Sequence, residues 1–146
     1  IDYLTKRPDE MLMACHLPPV APARDRGEGT WRASYRKLRR RGSFDFPVLG
    51  VAAWVRFDAG GTVTDARIVL GGIASNAREM PDAARAIIGS HLESEAIAAA
   101  ADAAFRPAKP MDNTDFTLGW RKEMVRVYVK RALEEVAGAP DATSRH

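Results

Sequence analysis

The stretch VAAWVRFDAGGTVTDARIVL, residues 51–70, constrains this chain more than any other part of it. Val51, Ala53, Val55 and Phe57 fall on every second position, and so do Ala66, Ile68 and Leu70 beyond the DAGGT turn. A period of two puts each set on one face of a strand, and two adjacent glycines admit the positive φ that a tight reversal needs. The spacing predicts an antiparallel hairpin with one covered face and one wetter face carrying Asp65 and Arg67. A chain of 146 residues has room for one ordinary domain, whose other segments must supply that cover.

The cover lies in the C-terminal half. Phe116, Trp120, Met124 and Tyr128 step by four, as do Val125, Val129 and Leu133, while Lys122, Arg126, Lys130 and Glu134 form a separate stripe. This predicts a long amphipathic helix packed by one face. PDAARAII, closed by Gly89, predicts a short helix with proline in its first turn. Residues 94–105, rich in alanine and opened by Ser94 as a cap, predict a second helix suited to close packing. Asp112 and Asp115 read as helix caps, and the glycines of LGGIASN read as a close-approach loop after the second strand. Upstream, residues 31–38 alternate with Trp31, Ala33, Tyr35 and Lys37 on one aromatic face and Arg32, Ser34, Arg36 and Leu38 on a largely cationic one. EMLMACHLP reads as a short edge strand stopped by Pro18 and Pro19, and VAPARDRGEGT as a polar connector. Strands first and helices after predict an α+β fold, an antiparallel sheet covered by a helical layer.

Composition narrows the chemistry. With 46% hydrophobic and 28% charged residues and no uninterrupted apolar run of spanning length, the chain reads as a soluble globular protein with no membrane segment. One cysteine excludes an internal disulfide framework and a metal quartet, which points to the cytoplasm; Cys15 itself reads as a buried thiol. His16, His91 and His146 lie far apart, no nucleophile motif is present, and neither catalytic nor metal-ligating residues are expected. The net charge of +3 is local, because Arg32, Arg36, Lys37, Arg39, Arg40 and Arg41 fall within ten residues. That run admits three readings: a strand edge guarded by charge, a nucleic-acid surface, or an anion or cofactor site in which Tyr35 offers a flat face.

Four elements in order weigh among these readings: DEMLMACHLP, SYRKLRRRGSFDFPVLGVAAWVRF, ARIVLGGIASNAREMPDAARAIIG and KPMDNTDFTLGWRKEMVRVYVKRAL. Together they resemble the end of the flavin-binding subunit of the molybdenum hydroxylases, the family of xanthine dehydrogenase and carbon monoxide dehydrogenase. Within it, KPMDNTDF and RRRGSFDFPVL look most like the flavin subunit of 4-hydroxybenzoyl-CoA reductase. The resemblance implies a three-stranded antiparallel sheet carrying about three helices. It implies that residues 1–19 are the tail of a preceding FAD-binding domain, 20–30 a connector, 31–138 the flavoprotein C-terminal domain and 139–146 a disordered tail. It further implies FAD as cofactor, held mostly by residues outside this chain, with Tyr35, Arg36 and Lys37 as the contacts here and Gly42 to Asp45 as a loop beside the ring. The implied partners are an iron–sulfur subunit and a molybdenum-cofactor subunit in a hetero-oligomeric oxidoreductase, with no nucleic acid and no membrane. The alternative is a free-standing basic module that binds nucleic acid or an acidic protein.

Overall fold

The computed structural model describes residues 7–16, 30–42, 45–112 and 116–138. The expected hairpin is its centre. Strand β2 (Leu49–Phe57) returns as β3 (Val63–Gly71), with Val51 opposite Leu70, Ala53 opposite Ile68 and Val55 opposite Ala66. The reversal is built on Asp58, whose carboxylate accepts from the backbone N–H groups of Gly60 and Thr62, each at 2.8 Å. Of the paired glycines only Gly61 takes a positive φ, 82°.

β1 (Trp31–Leu38) pairs antiparallel with β2, setting Ser34 against Ala53 and Tyr35 against Ala52. A fourth strand, β4 (Arg78–Glu79), was not expected. It is two residues long and pairs with Leu70 and Val69, where the chain leaving β3 doubles back along its edge. The resulting order is β1-β2-β3-β4, an α+β fold with one more strand than the three expected.

Helix α1 (Pro81–Arg85) begins at its proline as expected but stops after five residues. The chain then turns to Gly89, φ 84°, whose N–H bonds Val63 O at 2.8 Å, and so serves the sheet in place of a further helical turn. Helix α2 (Ser94–Phe105) has the expected bounds, yet Ser94 is its first residue and Glu93 occupies the cap. Ala96, Ala100, Ala101 and Ala104 are buried there, so that α2 lies close against α3 (Leu118–Ala137). Thr117 caps α3 by accepting from the Trp120 N–H at 3.3 Å. Asp112, expected as a cap, instead lends its charge to Arg121, and Asp115 lies outside the described residues. Val125, Val129 and Leu133 are buried as their spacing predicts, whereas Phe116 and Trp120 stack on each other at 4.6 Å at the margin of the core.

Among the described residues 7–16 there is no strand. Met11, Leu12 and Met13 are 77%, 73% and 82% exposed, and Cys15, expected to be buried, is exposed with them, because no described part of the chain covers this segment. The expected connector, apart from Thr30, and the tail at 139–146 lie outside the described residues. No helix of the described residues is long and apolar enough to cross a membrane.

One residue joins the layers. Arg121, 3% exposed, donates to Gly72 O at 2.7 Å, to Val48 O at 3.1 Å and to Met111 O. Desolvation lowers its pKa, and the charge of Asp112 opposes that shift. Replacing Arg121 with Met should destabilise the domain by on the order of 3 kcal/mol, since it leaves three inward carbonyls without donors. Arg121→Lys should recover only part, because an ammonium cannot span them as a planar fork does. Urea denaturation of the three proteins measures this; equal midpoints would contradict it.

The hairpin turn carries a pH dependence. The Thr62 and Gly60 amides hold the Asp58 carboxyl below its ordinary value against the opposing effect of desolvation. A depressed folded pKa stabilises the fold above the unfolded pKa, and the stabilisation is lost as pH falls through the folded value. The stability gap between wild type and Asp58→Ala should therefore be present near about pH 6 and shrink toward about pH 3. Denaturation curves at the two pH values test the sign.

Candidate functional site

All three helices pack on the face of the sheet that carries Val51, Ala53, Val55, Ile68 and Leu70. The opposite face has no cover among the described residues. Strand alternation decides which residues of β1 reach it. Tyr35 and Lys37 stand on that open face side by side, with Ala33 next to them. Gly50 lies opposite Lys37, Ala52 opposite Tyr35 and Trp54 opposite Ala33, while β3 adds Arg67 and Val69. Together Ala33, Tyr35, Ala52, Trp54, Arg67 and Val69 line a shallow depression of about 510 Å³.

Tyr35 is 64% exposed, and its ring lies along the sheet toward Gly50. A Cβ at position 50 would come within 3.1 Å of the Tyr35 hydroxyl, so glycine there is what lets the ring lie flat. The floor is small and apolar, the ring is flat, and two cations border it: Arg67 in the lining, 3.6 Å from Glu79, and the exposed Lys37 beside Tyr35 on β1. Such a surface accepts a planar aromatic group and offers charged donors at its rim.

Arg36 is placed elsewhere. It faces α3, where its Nε lies 2.9 Å from Glu135, and the Ser34 hydroxyl donates to the same carboxylate. Arg32 follows the same parity, donating to Val136 O at 3.0 Å while its guanidinium sits 5.4 Å from the centre of the Phe57 ring. Among the three expected contacts the structure brings Tyr35 and Lys37 together and sends Arg36 to the other side of the strand. The cationic run is thus divided: Arg32 and Arg36 fasten α3, and only Lys37 shares the open face with Tyr35.

Beyond β1, Arg41 is stapled to Asp45 by an ion pair of 3.7 Å and a backbone bond of 3.1 Å. Desolvation pushes the Asp45 pKa up, but the amides of Phe46 and Arg41 and the Arg41 charge outweigh it and leave the carboxyl below its usual range. Phe46 stands 86% exposed next to this staple. Ser43 and Phe44, within the expected ring-side loop, lie outside the described residues.

A second groove, of about 520 Å³, runs between β1 and α3 and is lined by Tyr35, Arg36, Lys37, Arg39, Tyr128 and Arg131. Sequence reasoning missed Arg131 and placed Tyr128 in a core stripe. It also missed Gly50, Ala52, Trp54 and Val69, although the signal was present. If Val51 and Ala53 face inward, the residues between them face outward, and the hairpin register sets them beside Tyr35. His91 serves the hairpin turn, its Nδ1 lying 3.1 Å from Gly61 O. Among the described residues no three His, Cys, Asp or Glu side chains gather as a metal site.

Glu135→Ala should cost about 1 kcal/mol, since it leaves Arg36 and Ser34 without their shared acceptor at a partly exposed site. Glu135→Gln should cost less, because the amide oxygen still accepts from Ser34. Thermal melts give the order; an Ala variant no less stable than the Gln variant would contradict it.

The open face of this one-sided antiparallel sheet brings no nucleophile and base together among the described residues, and the comparisons give the class as a flavoprotein C-terminal domain. Residues 33–136 match the CO dehydrogenase flavoprotein C-terminal domain, and the chain belongs to that family, the C-terminal domain of the FAD-binding subunit of molybdenum hydroxylases. It is 33% identical over 125 residues to the carbon monoxide dehydrogenase medium chain of Hydrogenophaga pseudoflava, covering 86% of this chain and 40% of that one. It is 30% identical over 126 residues to the alpha subunit of the 6-hydroxypseudooxynicotine dehydrogenase complex of Paenarthrobacter nicotinovorans, with the same coverage of 86% and 40%. Among solved structures, carbon monoxide dehydrogenase from Hydrogenophaga pseudoflava lacking the Mo-pyranopterin moiety superposes with a TM-score of 0.66 at 34% identity, covering 77% of this chain and 37% of that one. Reconstituted CO dehydrogenase from Oligotropha carboxidovorans shares the fold, with a TM-score of 0.68 at 23% identity over 85% of this chain and 40% of that one. The chain thus spans about 40% of the length of the curated relatives it matches.

Proposed function

We propose that this domain closes over the ring of an FAD held mostly by residues outside the chain, in the flavin subunit of a molybdenum–iron–sulfur–flavin oxidoreductase. The observation that carries the reading is the pairing of Tyr35 and Lys37 on an open, apolar sheet face floored by Gly50 and Ala52. When bound, FAD supplies electron transfer between the iron–sulfur clusters of a partner subunit and an acceptor or donor. Substrate chemistry belongs to a molybdenum-cofactor subunit of the same cytoplasmic hetero-oligomer. The two curated relatives are themselves a chain of one dehydrogenase and a subunit of a dehydrogenase complex, which supports a multi-subunit setting.

The residues of this chain take limited roles. Tyr35 shields one ring face and excludes water from it. Lys37 donates to a ring carbonyl and favours negative charge there. Arg36, engaged by Glu135, contributes by holding β1 against α3, so the strand that carries Tyr35 and Lys37 keeps its place.

In the complete subunit, Lys37→Ala should loosen FAD and make its reduction harder, each by on the order of 1–3 kcal/mol. Tyr35→Ala should loosen FAD through lost stacking area. In the isolated domain Lys37→Ala should change stability by no more than roughly 0.5 kcal/mol, as at an ordinary exposed site. FAD titration and potentiometry of both variants beside wild type decide the matter. Values unchanged in both would reduce the two residues to guards of a sheet edge.

A further inference from the structure

The groove between β1 and α3 has features that ring contact does not explain. Among the described residues β1 is the outermost strand, and one of its edges has no partner strand there. The carbonyls of Thr30 and Leu38 accept from Phe57 and Val48, which fixes the parity of the pairing. The even-numbered residues of β1 turn their backbone groups to β2, and Tyr35 and Lys37 turn theirs to the free edge, along the groove. Two side walls rise from different elements, Lys37 from β1 and Arg131 from α3, with Tyr35 and Tyr128 beside them.

The acids nearby are engaged. Glu135 holds Arg36 at 2.9 Å and Glu134 holds Lys130 at 3.8 Å, whereas neither Lys37 nor Arg131 has a carboxylate within ion-pair distance among the described residues. The Arg131 guanidinium lies 5.3 Å from the centre of the Tyr128 ring, a cation–π contact that orients it. Two cations from different elements, edge backbone N–H groups of β1 with no partner strand among the described residues, and flanking aromatic rings are the donor set that binds phosphoryl oxygens beside a flat base. A volume of about 520 Å³ is that of a nucleotide-sized site.

We infer that this groove is an anion site for the diphosphate of a nucleotide, with Lys37 and Arg131 as its charged walls. The diphosphate has two sources, that of the FAD itself or that of a second, diffusible nucleotide. The inference goes beyond ring contact and does not require it. Lys37 and Tyr35 belong to both readings, so Arg131 carries the test.

The chain is titrated with ADP and with inorganic pyrophosphate by calorimetry at two salt concentrations. Saturable binding is expected, weakening with salt. Arg131→Gln should lower the affinity about tenfold or more, the loss of one charged hydrogen-bonded contact. Arg106→Gln, at an exposed arginine away from the groove, should leave it unchanged. No saturable binding, or equal losses in the two variants, overturns the site and leaves only diffuse charge on a sheet edge. Titrating ADP into the complete flavin-loaded subunit separates the sources. Retained binding assigns a second nucleotide, and binding only after flavin removal assigns the diphosphate of FAD. Lumiflavin, a ring without phosphate, keeps the two readings apart. Arg131→Gln should spare its binding to the complete, flavin-stripped subunit and Tyr35→Ala should weaken it, so either reading can fail alone.

Discussion

Arg121 puts a full charge where only 3% of its surface meets solvent, and what makes that tolerable is that three backbone carbonyls converge on it. Val48 stands where β2 begins, Gly72 where β3 ends and Met111 in the segment that leads to α3. Carbonyls at strand ends have lost their ladder partners, and inside a protein they need another. Gly72 makes the convergence possible: its φ is 77°, and a Cβ there would stand 3.0 Å from Val48 O. A side chain would hold the two segments apart and spoil the reach of the fork. The far end of α3 is joined differently, by Glu135 to Ser34 and Arg36 and by Val136 O to Arg32, with the carboxylate half in solvent. One end of the helix is therefore fixed by a buried charge and the other by a screened ion pair, and the buried end must dominate the energetics.

Pinning α3 at both ends commits the helical layer to one side of the sheet. Alanines along α2 let it approach α3 closely, and Arg126 consolidates the pair by bonding Asp102 at 2.6 Å and covering the Phe105 ring at 3.4 Å. The layer is then complete, and nothing in it reaches around the edge of β1. The open face is a consequence of that economy. Its small residues, Gly50, Ala52 and Ala33, expose little apolar surface by themselves while leaving room above the sheet.

The fold was legible where period and punctuation agree. The hairpin carried two alternating runs and a glycine pair, and the last helix carried a stripe at Val125, Val129 and Leu133; both formed as spaced. Misses came where tertiary partners outweigh local signals. Ser94 looks like a cap, yet Glu93 takes that position, and Asp112 turned to Arg121 in place of a helix terminus. β4 could not be foreseen, because two residues carry no period. EMLMACHLP offers a short apolar run stopped by prolines, but a strand needs a partner, and among the described residues none supplies one to its residues 10–16. Parity alone puts Tyr35 and Lys37 on one face, whereas their choice as cofactor contacts came from the family resemblance. Arg36 was legible only as a neighbour in sequence, and that same parity sends it to the opposite face. Arg131 had no local signal, since its relation to Lys37 depends on how α3 lies across β1.

Division by parity also explains how a run of six cations avoids acting as one patch. Arg36 is paired with Glu135, Arg32 is held by a carbonyl of α3, Arg41 is stapled to Asp45, and Lys37 keeps an exposed charge beside a flat ring. A lone exposed ammonium does little: two unit charges 4 Å apart interact by about 1 kcal/mol in water and by about 4 kcal/mol at the effective dielectric of a partly covered surface. Salt reduces the exposed value further. The influence of Lys37 on any group that gains negative charge therefore depends on what covers the open face. Covering expels water from the apolar floor, which is favourable in itself, and raises the worth of the charge already standing there. An open sheet face, a liability while it is uncovered, is thus also the place where a covering group would feel the Lys37 charge most strongly.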